Sequence, residues 1–344
     1  MTVELQPLCG PLTDEQVGWI VDLYGPADVE YSSAQYVRHQ FVENPFGWSV
    51  NVFAVDDGRA VGHCGVIPFR ARRGSETFVA GKLEALAVDG AYRGRRDDGG
   101  SVATDILSRL YPLATESGTE VLFGLAALPV ARILVRAGCH LVATNAPAYT
   151  CVIDTESFAG AESSWQRKFV AHGLGLAQRA VLATAGLSLP SSSPDEQPNA
   201  EDAELATTLD GDDRWTVSGA DAWEWFAGSG VLRMLDLPGD TGSRALVRID
   251  DSHATTVQIV SWRPHRSSLR SAFRLLAAAA GLARRRRAPT LRFQPWRGGA
   301  DERLLARACT LAGFVRRPEA DLLLYPDAPQ ANEVRLTPFF YVTF

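Results

Sequence analysis

Three features that would each point to a particular class of protein are missing from this sequence. No apolar run approaches the roughly 20 residues that a membrane-spanning helix needs, so we predict no membrane span. The chain does not begin with a basic segment followed by an apolar one, so we predict no secretory signal and expect a cytoplasmic protein. The 5 cysteines are scattered without CxxC spacing, which favours reduced, mostly buried thiols over a metal site or a disulfide framework. They are Cys9, Cys64, Cys139, Cys151 and Cys309.

A strongly basic composition is missing as well. The net charge of −6 argues against a broad nucleic-acid surface, because such a surface neutralises many phosphates with Lys and Arg. The 46% hydrophobic and 22% charged residues describe a globular protein with an ample core. We therefore expect a small-molecule partner rather than nucleic acid or membrane, and the composition is compatible with an oligomer.

The pattern of strands and helices occurs twice along the chain. A length of 344 residues exceeds what one core usually supports. Helices that end at Gly138 and Gly313 lie about half the chain apart, which indicates a tandem duplication of one α/β unit with a mixed sheet. The Ser/Pro-rich segment 188–202 has the composition of an exposed linker. We predict an N-terminal domain at 1–158, a helix and linker at 159–205 and a C-terminal domain at 206–344.

The stretch from Lys82 to Gly138 carries the most chemistry. An apolar strand at 82–88 leads into a turn rich in Gly and Arg at 92–100, and an amphipathic helix follows. Backbone N–H groups at such a turn and at a helix N-terminus point at one place, where a partial positive charge favours an anion. Glycines let the main chain come close, and arginines add charge-assisted hydrogen bonds. This layout predicts a phosphate-binding cradle.

The residues around this turn resemble a known superfamily. Ala87 to Arg95 is similar to the strand end and loop start of the GCN5-related N-acyltransferase (GNAT) superfamily. The segments 44–47, 61–68 and 81–84 are similar to a tandem subgroup that includes N-acyltransferases acting on nucleotide-linked amino sugars. The resemblance covers residues 30–150 clearly and the second half only by its plan. It implies a tandem GNAT-like acyl-CoA N-acyltransferase fold with acetyl-CoA or another acyl-CoA as co-substrate.

The resemblance also implies that the acyl-CoA pyrophosphate lies on the loop that ends at Ser101. One register starts at Arg93 and places Arg96 and Asp98 where the family has glycines. The other starts at Arg96 and restores glycine at Gly99, with Ser101 free to cap the helix, so we prefer it. The expected cofactor-binding residues are Ala87, Val88, Arg93, Gly94, Arg95, Arg96, Gly99, Gly100 and Ser101.

Acyl transfer to an amine needs a group that accepts a proton, because a primary amine near neutral pH is mostly protonated. Glu84 matches the position from which many relatives supply a general base. The alternative is a strand-end carboxylate paired with Lys82 or an arginine. His63 is a second candidate base or substrate contact, and the alternative there is a buried structural histidine.

Two further expectations concern the acceptor and the leaving group. The position at which the family carries a tyrosine as general acid holds Leu134, and Ala127 replaces the family's asparagine. A proton for the leaving thiolate would then come from water or from another residue such as Tyr149, or would not be needed; Tyr149 is also a candidate substrate-binding residue. Arg263 and His265 stand before a helix in the second half and are candidates for holding an acceptor phosphate, with a simple capped helix as the alternative.

Three functions are compatible with this reasoning. The first is an acyl-CoA-dependent N-acyltransferase that moves an acetyl-type group by direct attack to an amine of an amino sugar or a natural-product intermediate. The second is an aminoacyl-tRNA-dependent transferase, which the acidic balance disfavours. The third is a non-catalytic protein that uses the twinned fold for binding.

Overall fold

The computed structural model describes most of the first half and the central elements of the second. The described residues are 3–24, 30–73, 76–94, 100–126, 128–154, 173, 175–178, 180, 215–217, 232–236, 243–249, 256–294 and 300–325.

The first half alternates strands with helices. Its strands are β1 (Glu4–Cys9), β2 (Val50–Asp56), β3 (Arg59–Arg73), β4 (Glu76–Val88), β5 (Val121–Ala126) and β6 (His140–Val152). Its helices are α1 (Asp14–Tyr24), α2 (Ala34–Phe41), α3 (Val102–Glu116) and α4 (Leu128–Arg136), with 3₁₀ turns at Glu30–Ser32 and Gly90–Tyr92.

The second half follows the same plan in its described part. Its strands are β7 (Trp215–Val217), β8 (Leu232–Asp236), β9 (Arg244–Ile249), β10 (Thr256–Arg263), β11 (Thr290–Phe293) and β12 (Val315–Tyr325). Its helices are α5 (Leu269–Arg285) and α6 (Ala300–Leu311).

Local sequence explains the best-defined elements. The β2–β3 hairpin turns at Asp57 and Gly58, whose φ angles of 50° and 73° fit the mirror-image turn that Asp-Gly favours. Helix α3 begins after Ser101, whose side chain accepts a hydrogen bond from the backbone N–H of Thr104. Gly138, with φ 103°, follows α4 as predicted.

A single sheet runs through both halves of the chain. Its strand order is β1-β2-β3-β4-β5-β12-β6-β11-β10-β9-β8, and β7 pairs with β3. Among the described strands, only β4 with β5 and β10 with β11 are parallel pairs. β12 pairs with both β5 and β6, and β6 pairs with β11. The last strand of each half therefore lies beside the penultimate strand of the other half, so the halves exchange strands.

Each half has its own hydrophobic core beneath its helices. The first core contains Ile106 and Leu110 of α3 together with Val52 and Val66 of the sheet. The second core packs α5 and α6 against β6, β9, β10 and β11. The second half contributes Tyr325 of β12 to the first core, where its ring lies 4.4 Å from the ring of Tyr111, measured between centroids.

A buried glutamine ties the connecting segment to the exchanged strands. Residues 173, 175–178 and 180 are helical, and they lie in the segment 159–205 that is predicted to hold a helix and a linker. The Gln178 side chain accepts from the backbone N–H of Val152 at 2.9 Å and donates to the carbonyl of Gly313 at 2.7 Å. These bonds join the end of β6 to the start of β12.

The mixed α/β architecture predicted from the sequence is confirmed, with one local correction. The sequence pattern of residues 31–41 predicts a helix from residue 31. The chain instead forms a 3₁₀ turn at Glu30–Ser32, and the α-helix starts only after Ser33. Ser33 caps it by accepting from the N–H of Tyr36. Four of the 5 cysteines are buried, as expected. The domain boundaries stay a prediction, as does the linker at 188–202, which lies outside the described residues.

Candidate functional site

The centre of the first half contains a wedge between two parallel strands. β4 and β5 pair only from Ala80 with Val121 to Lys82 with Phe123. Beyond Lys82, the other edge of β4 stays paired with β3 as far as Val88, while β5 continues along β12. Within these described strands, the backbone groups that β4 turns towards β5 after this point have no strand partner. The two strands therefore separate into a wedge, with β4 as one wall and β5 as the other.

A bulge in β4 shapes that wall. Gly65 pairs with Glu84 and His63 pairs with Ala87, so one residue of β3 faces two residues of β4. Ala85 adopts φ 60°, a left-handed conformation that costs a non-glycine residue energy. The surrounding pairing holds this strained residue in place. The bulge changes the direction of β4 directly after Glu84.

The carboxylate of Glu84 contacts two donors, Tyr31 and Lys82. The hydroxyl of Tyr31 donates to Glu84 Oε1 at 2.9 Å, and Lys82 Nζ lies 2.5 Å from Oε2. The side chains of Lys82 and Glu84 are 5% and 10% exposed, respectively. Lys82 and Glu84 are two positions apart on a strand and so share one face of the sheet. The ion pair with Lys82, which was the structural alternative for Glu84, is present in the structure.

The Tyr31 hydroxyl is held as a donor by its surroundings. Burial, and next the charge of Glu84, raise the pKa of Tyr31 well above its ordinary value, so the phenol stays protonated. Its ring packs against Tyr24, with centroids 4.8 Å apart, and against Tyr36 at 5.2 Å. Sequence reasoning missed Tyr31, because its contact with Glu84 spans 53 residues and no local pattern marks it.

His63 has the environment of a neutral structural histidine. It is fully buried, and burial lowers its pKa to about 3. Ser49 donates its only hydroxyl proton to the carbonyl of Phe41, so it accepts from Asn51 Nδ2 at 2.9 Å. The Asn51 Oδ1 atom then faces His63 Nε2 at 3.1 Å, which makes Nε2 the protonated nitrogen. These bonds favour the structural alternative for His63 over its catalytic role, which stays an untested prediction.

The predicted phosphate cradle is described only at its two ends. Arg93 Nε donates to the carbonyl of Val88 at 2.7 Å, which folds the start of the loop back onto the end of β4. Gly94 adopts φ 124°, a conformation that favours glycine. At the other end Ser101 caps α3, as the preferred register predicts. The predicted ligands Arg95, Arg96 and Gly99 lie outside the described residues, and Gly100 adjoins them.

Leu134 and Tyr149 both lie in core surroundings. Leu134, at the family's tyrosine position, is buried on α4 and packs towards Gly124 of β5. Tyr149 is buried in the core of the second half, with its ring stacked on Phe293 at 6.5 Å. The role of Tyr149 in substrate binding stays a prediction, and Ala127 lies outside the described residues.

The two second-half candidates stand at the end of β10. Arg263 is the last residue of this strand and pairs with Arg244. The backbone N–H of His265 donates to Ser243 Oγ at 2.7 Å, and the side chain of His265 is exposed. Their role in holding an acceptor phosphate stays a prediction.

Comparison with known proteins identifies the fold. No family model and no curated protein matches this sequence. A tandem GNAT protein from the clavulanic acid biosynthesis pathway is 13% identical, with a TM-score of 0.57 over 95% of this chain and 99% of its own. The chain has a tandem GNAT fold. The fold that the resemblance implied is therefore confirmed.

Two further solved structures share this fold. The N-myristoyltransferase of Saccharomyces cerevisiae with bound myristoyl-CoA is 10% identical, and its TM-score is 0.61 over 96% of this chain and 81% of its own. A probable N-acyltransferase from Enterococcus faecalis V583 is 12% identical, with a TM-score of 0.53 over 94% of this chain and 72% of its own. Identities this low establish the fold alone.

The described part of the chain shows neither a membrane-spanning helix nor a metal-binding cluster. No described helix is both long and apolar enough to cross a bilayer. No group of three or more His, Cys, Asp or Glu side chains that could hold a metal ion lies among the described residues.

Proposed function

We propose that this chain is an acyl-CoA-dependent N-acyltransferase that moves an acetyl-type group to a primary amine of a small molecule. The observation that carries the proposal is the carboxylate of Glu84, fixed where β4 and β5 begin to diverge. The wedge opens beside this carboxylate, where the pairing of β4 with β5 ends, and the capped start of α3 follows the same strand. Solved structures with this fold include a probable N-acyltransferase and a myristoyl-CoA complex, which supports an acyl-CoA donor.

Several groups of the chain fit an acyl-CoA. The first N–H groups of α3 have no acceptor within the helix, and Ser101 takes only that of Thr104. The remaining N–H groups favour a phosphate there, and Arg93 precedes Ser101 in the same connection between β4 and α3. An acyl-CoA supplies an activated thioester carbonyl. Backbone N–H groups of β4 beyond Lys82, where the pairing with β5 ends, would stabilise negative charge on that carbonyl oxygen during attack.

Glu84 acts as the proton acceptor in this scheme. The amine attacks the thioester carbon, and the proton it releases passes to Glu84 directly or through one water. Leu134 offers no proton to the departing sulfur, so the thiolate leaves without an acid from α4 and takes its proton from solvent. Direct transfer requires no covalent acyl-enzyme.

The acceptor we favour is an amino sugar, free or nucleotide-linked, or an amine intermediate of natural-product synthesis. The similarity of segments 44–47, 61–68 and 81–84 to the tandem amino-sugar subgroup supports the first. The matched tandem protein from the clavulanic acid pathway supports the second.

The experiment measures binding and turnover separately. Acetyl-CoA is expected to raise the melting temperature of the wild-type protein, since a ligand that binds only the folded state stabilises it. Release of free CoA thiol is then followed with a panel of amino sugars as acceptors. Glu84→Gln is expected to keep the acetyl-CoA affinity and to lower turnover by about 10²–10⁴-fold. Unchanged turnover would remove Glu84 from the base role.

Glu84→Gln also leaves Lys82 without its anionic partner, so a folding defect must be separated from a catalytic one. The double variant Lys82→Met/Glu84→Gln removes both charges and serves as the control for stability. A double variant that melts near wild type and still fails to turn over assigns the loss to the missing base.

A non-catalytic acyl-CoA-binding protein is the second candidate. Two observations favour this candidate. Both carboxylate oxygens of Glu84 already accept from donors, and Leu134 stands where the family has its general acid. Acetyl-CoA binding with no thiol release against any amine of the panel would support this candidate over the first.

A further inference from the structure

We propose that Tyr31 and Lys82 are positioning residues that hold the Glu84 carboxylate in one orientation for proton transfer. The inference rests on the proposed acyl transfer. It adds two side chains to the site, one from the 3₁₀ turn before α2 and one from the end of the β4–β5 pairing.

The contacts fix the carboxylate at two points. Tyr31 holds Oε1 and Lys82 holds Oε2, so rotation of the carboxylate would break both contacts. Each oxygen has a second lone pair that neither donor uses, and a proton can be accepted there. A base held in this way needs no reorganisation when the amine arrives.

The Tyr31 hydroxyl is placed by packing, independently of Glu84. Its ring lies between Tyr24 and Tyr36, and the whole residue is 3% exposed. With its pKa raised by burial and by Glu84, the phenol can donate but cannot serve as the acid for the thiolate. Tyr31 therefore acts through Glu84.

Lys82 stands out in the composition of the chain. It is one of only two lysines, although the sequence has 34 lysines and arginines together. Its side chain is 5% exposed, and an ammonium is a compact point charge, whereas a guanidinium is a wide planar fork. A lysine therefore fits this enclosed position in a chain whose cations are otherwise almost all arginine.

The groups that act on Glu84 come from three elements. Among the described residues these are Lys82 on its own strand, Tyr31 from the 3₁₀ turn and Cys64 from β3. Burial and then the Glu84 charge raise the pKa of the Cys64 thiol, so Cys64 stays neutral in the working range. Only Tyr31 and Lys82 donate to the carboxylate in these contacts.

The test compares Tyr31→Phe with wild type, using acetyl-CoA and an amino sugar that gives turnover. Phe keeps the ring between its neighbours and removes only the hydroxyl. We expect kcat to fall by about 10–100-fold with an unchanged KM for acetyl-CoA. We also expect the acid limb of the kcat profile to move to higher pH, because losing a donor makes the carboxylate easier to protonate.

Three further variants separate positioning from structure. Lys82→Gln is expected to lower kcat as well, and Lys82→Arg is expected not to restore it. Tyr111→Phe removes another buried hydroxyl, 3.0 Å from Cys139 Sγ, and is expected to lower stability while leaving the pH profile at its wild-type position.

The outcomes are distinct. Wild-type kcat and an unmoved acid limb in Tyr31→Phe would overturn the positioning role while the proposed function stands. Equal kinetic losses in Tyr31→Phe and Tyr111→Phe would also overturn it, since they would reflect loosened folding. A wild-type protein that neither binds acetyl-CoA nor releases thiol overturns the proposed function, and the positioning role with it.

Discussion

The two halves of the chain start their long helices in the same way and lead into them differently. Ser101 caps α3 and Ser268 caps α5, with backbone angles of −144°, 153° and −150°, 153°. Each cap accepts from the N–H three residues on, at 3.2 and 3.1 Å, and also contacts a hydroxyl there. The duplication thus preserved the capped helix start in both halves.

The loop before each helix is what distinguishes them. In the first half twelve residues lie between Val88 and Ser101, and they include glycines and arginines. In the second half four residues lie between Arg263 and Ser268, and none is glycine. Ser267 Oγ donates to Asp301 Oδ1 at 2.5 Å, so a carboxylate already lies beside the second helix start. We therefore expect the loop, and not the helix N-terminus alone, to determine which half binds a phosphate.

Replacing the first loop by the second gives the largest expected effect. A chimera in which residues 93–100 are exchanged for the segment 263–267 keeps Ser101 as the cap. We expect at least a hundredfold loss of acetyl-CoA affinity, because the graft is shorter and lacks the glycines that let the main chain approach a phosphate. Titration calorimetry with acetyl-CoA measures it, and circular dichroism checks the fold. Retained affinity in a folded chimera would show that the loop does not bind the donor.

A pair of histidines sharpens the comparison through pH. The pKa of His63 is lowered to about 3 in the folded chain, whereas in the unfolded chain it has its ordinary value of about 6.5. Between these two pH values only the unfolded chain binds a proton at His63. The stabilising contribution is present above pH 6.5 and lost as pH falls towards 3. Wild type should lose about 2 kcal/mol more unfolding free energy from pH 7 to pH 5 than His63→Gln does.

Denaturant unfolding at the two pH values measures this difference. His265→Gln changes the exposed histidine of the second half and is the matched control, expected to retain the wild-type pH dependence. If His63→Gln also retained the wild-type pH dependence, the buried histidine would not be the source of the lost unfolding free energy.

The smallest expected effect concerns the two caps. Ser101→Ala and Ser268→Ala should each lower the unfolding free energy by about 1 kcal/mol, since each loses one capping bond. Only Ser101→Ala should also weaken acetyl-CoA binding, by about threefold, through a disturbed helix start. Equal effects of the two variants on acetyl-CoA affinity would contradict the assignment of the donor site to the first half.

Local patterns in the sequence predicted the elements around the site. The Asp57-Gly58 turn, the apolar face of α3 and the Ser101 cap each depend on residues close in sequence, and each is present in the structure. The fold followed from the resemblance of residues 30–150 together with the duplicated plan.

Contacts between distant residues could not be predicted in the same way. The exchange of β6 and β12 leaves no local signal, because both strands would show the same alternation in an unexchanged sheet. The sequence predicts Lys82 or an arginine as the partner of Glu84, and Lys82 is present there. The second partner, Tyr31, lies 53 residues away in sequence and could not be predicted from a local pattern. The surroundings of His63 on β3 likewise combine Asn51 and Phe53 of β2 with Phe41 of α2.

The place of β12 has a consequence for how the protein comes into being. The edge of β5 that faces away from β4 is covered by residues 321–325, which belong to the second half of the chain. During synthesis on the ribosome, this edge of the nascent first half must therefore stay exposed until those residues have been translated. A chaperone that shields exposed strands would have its greatest effect in this interval.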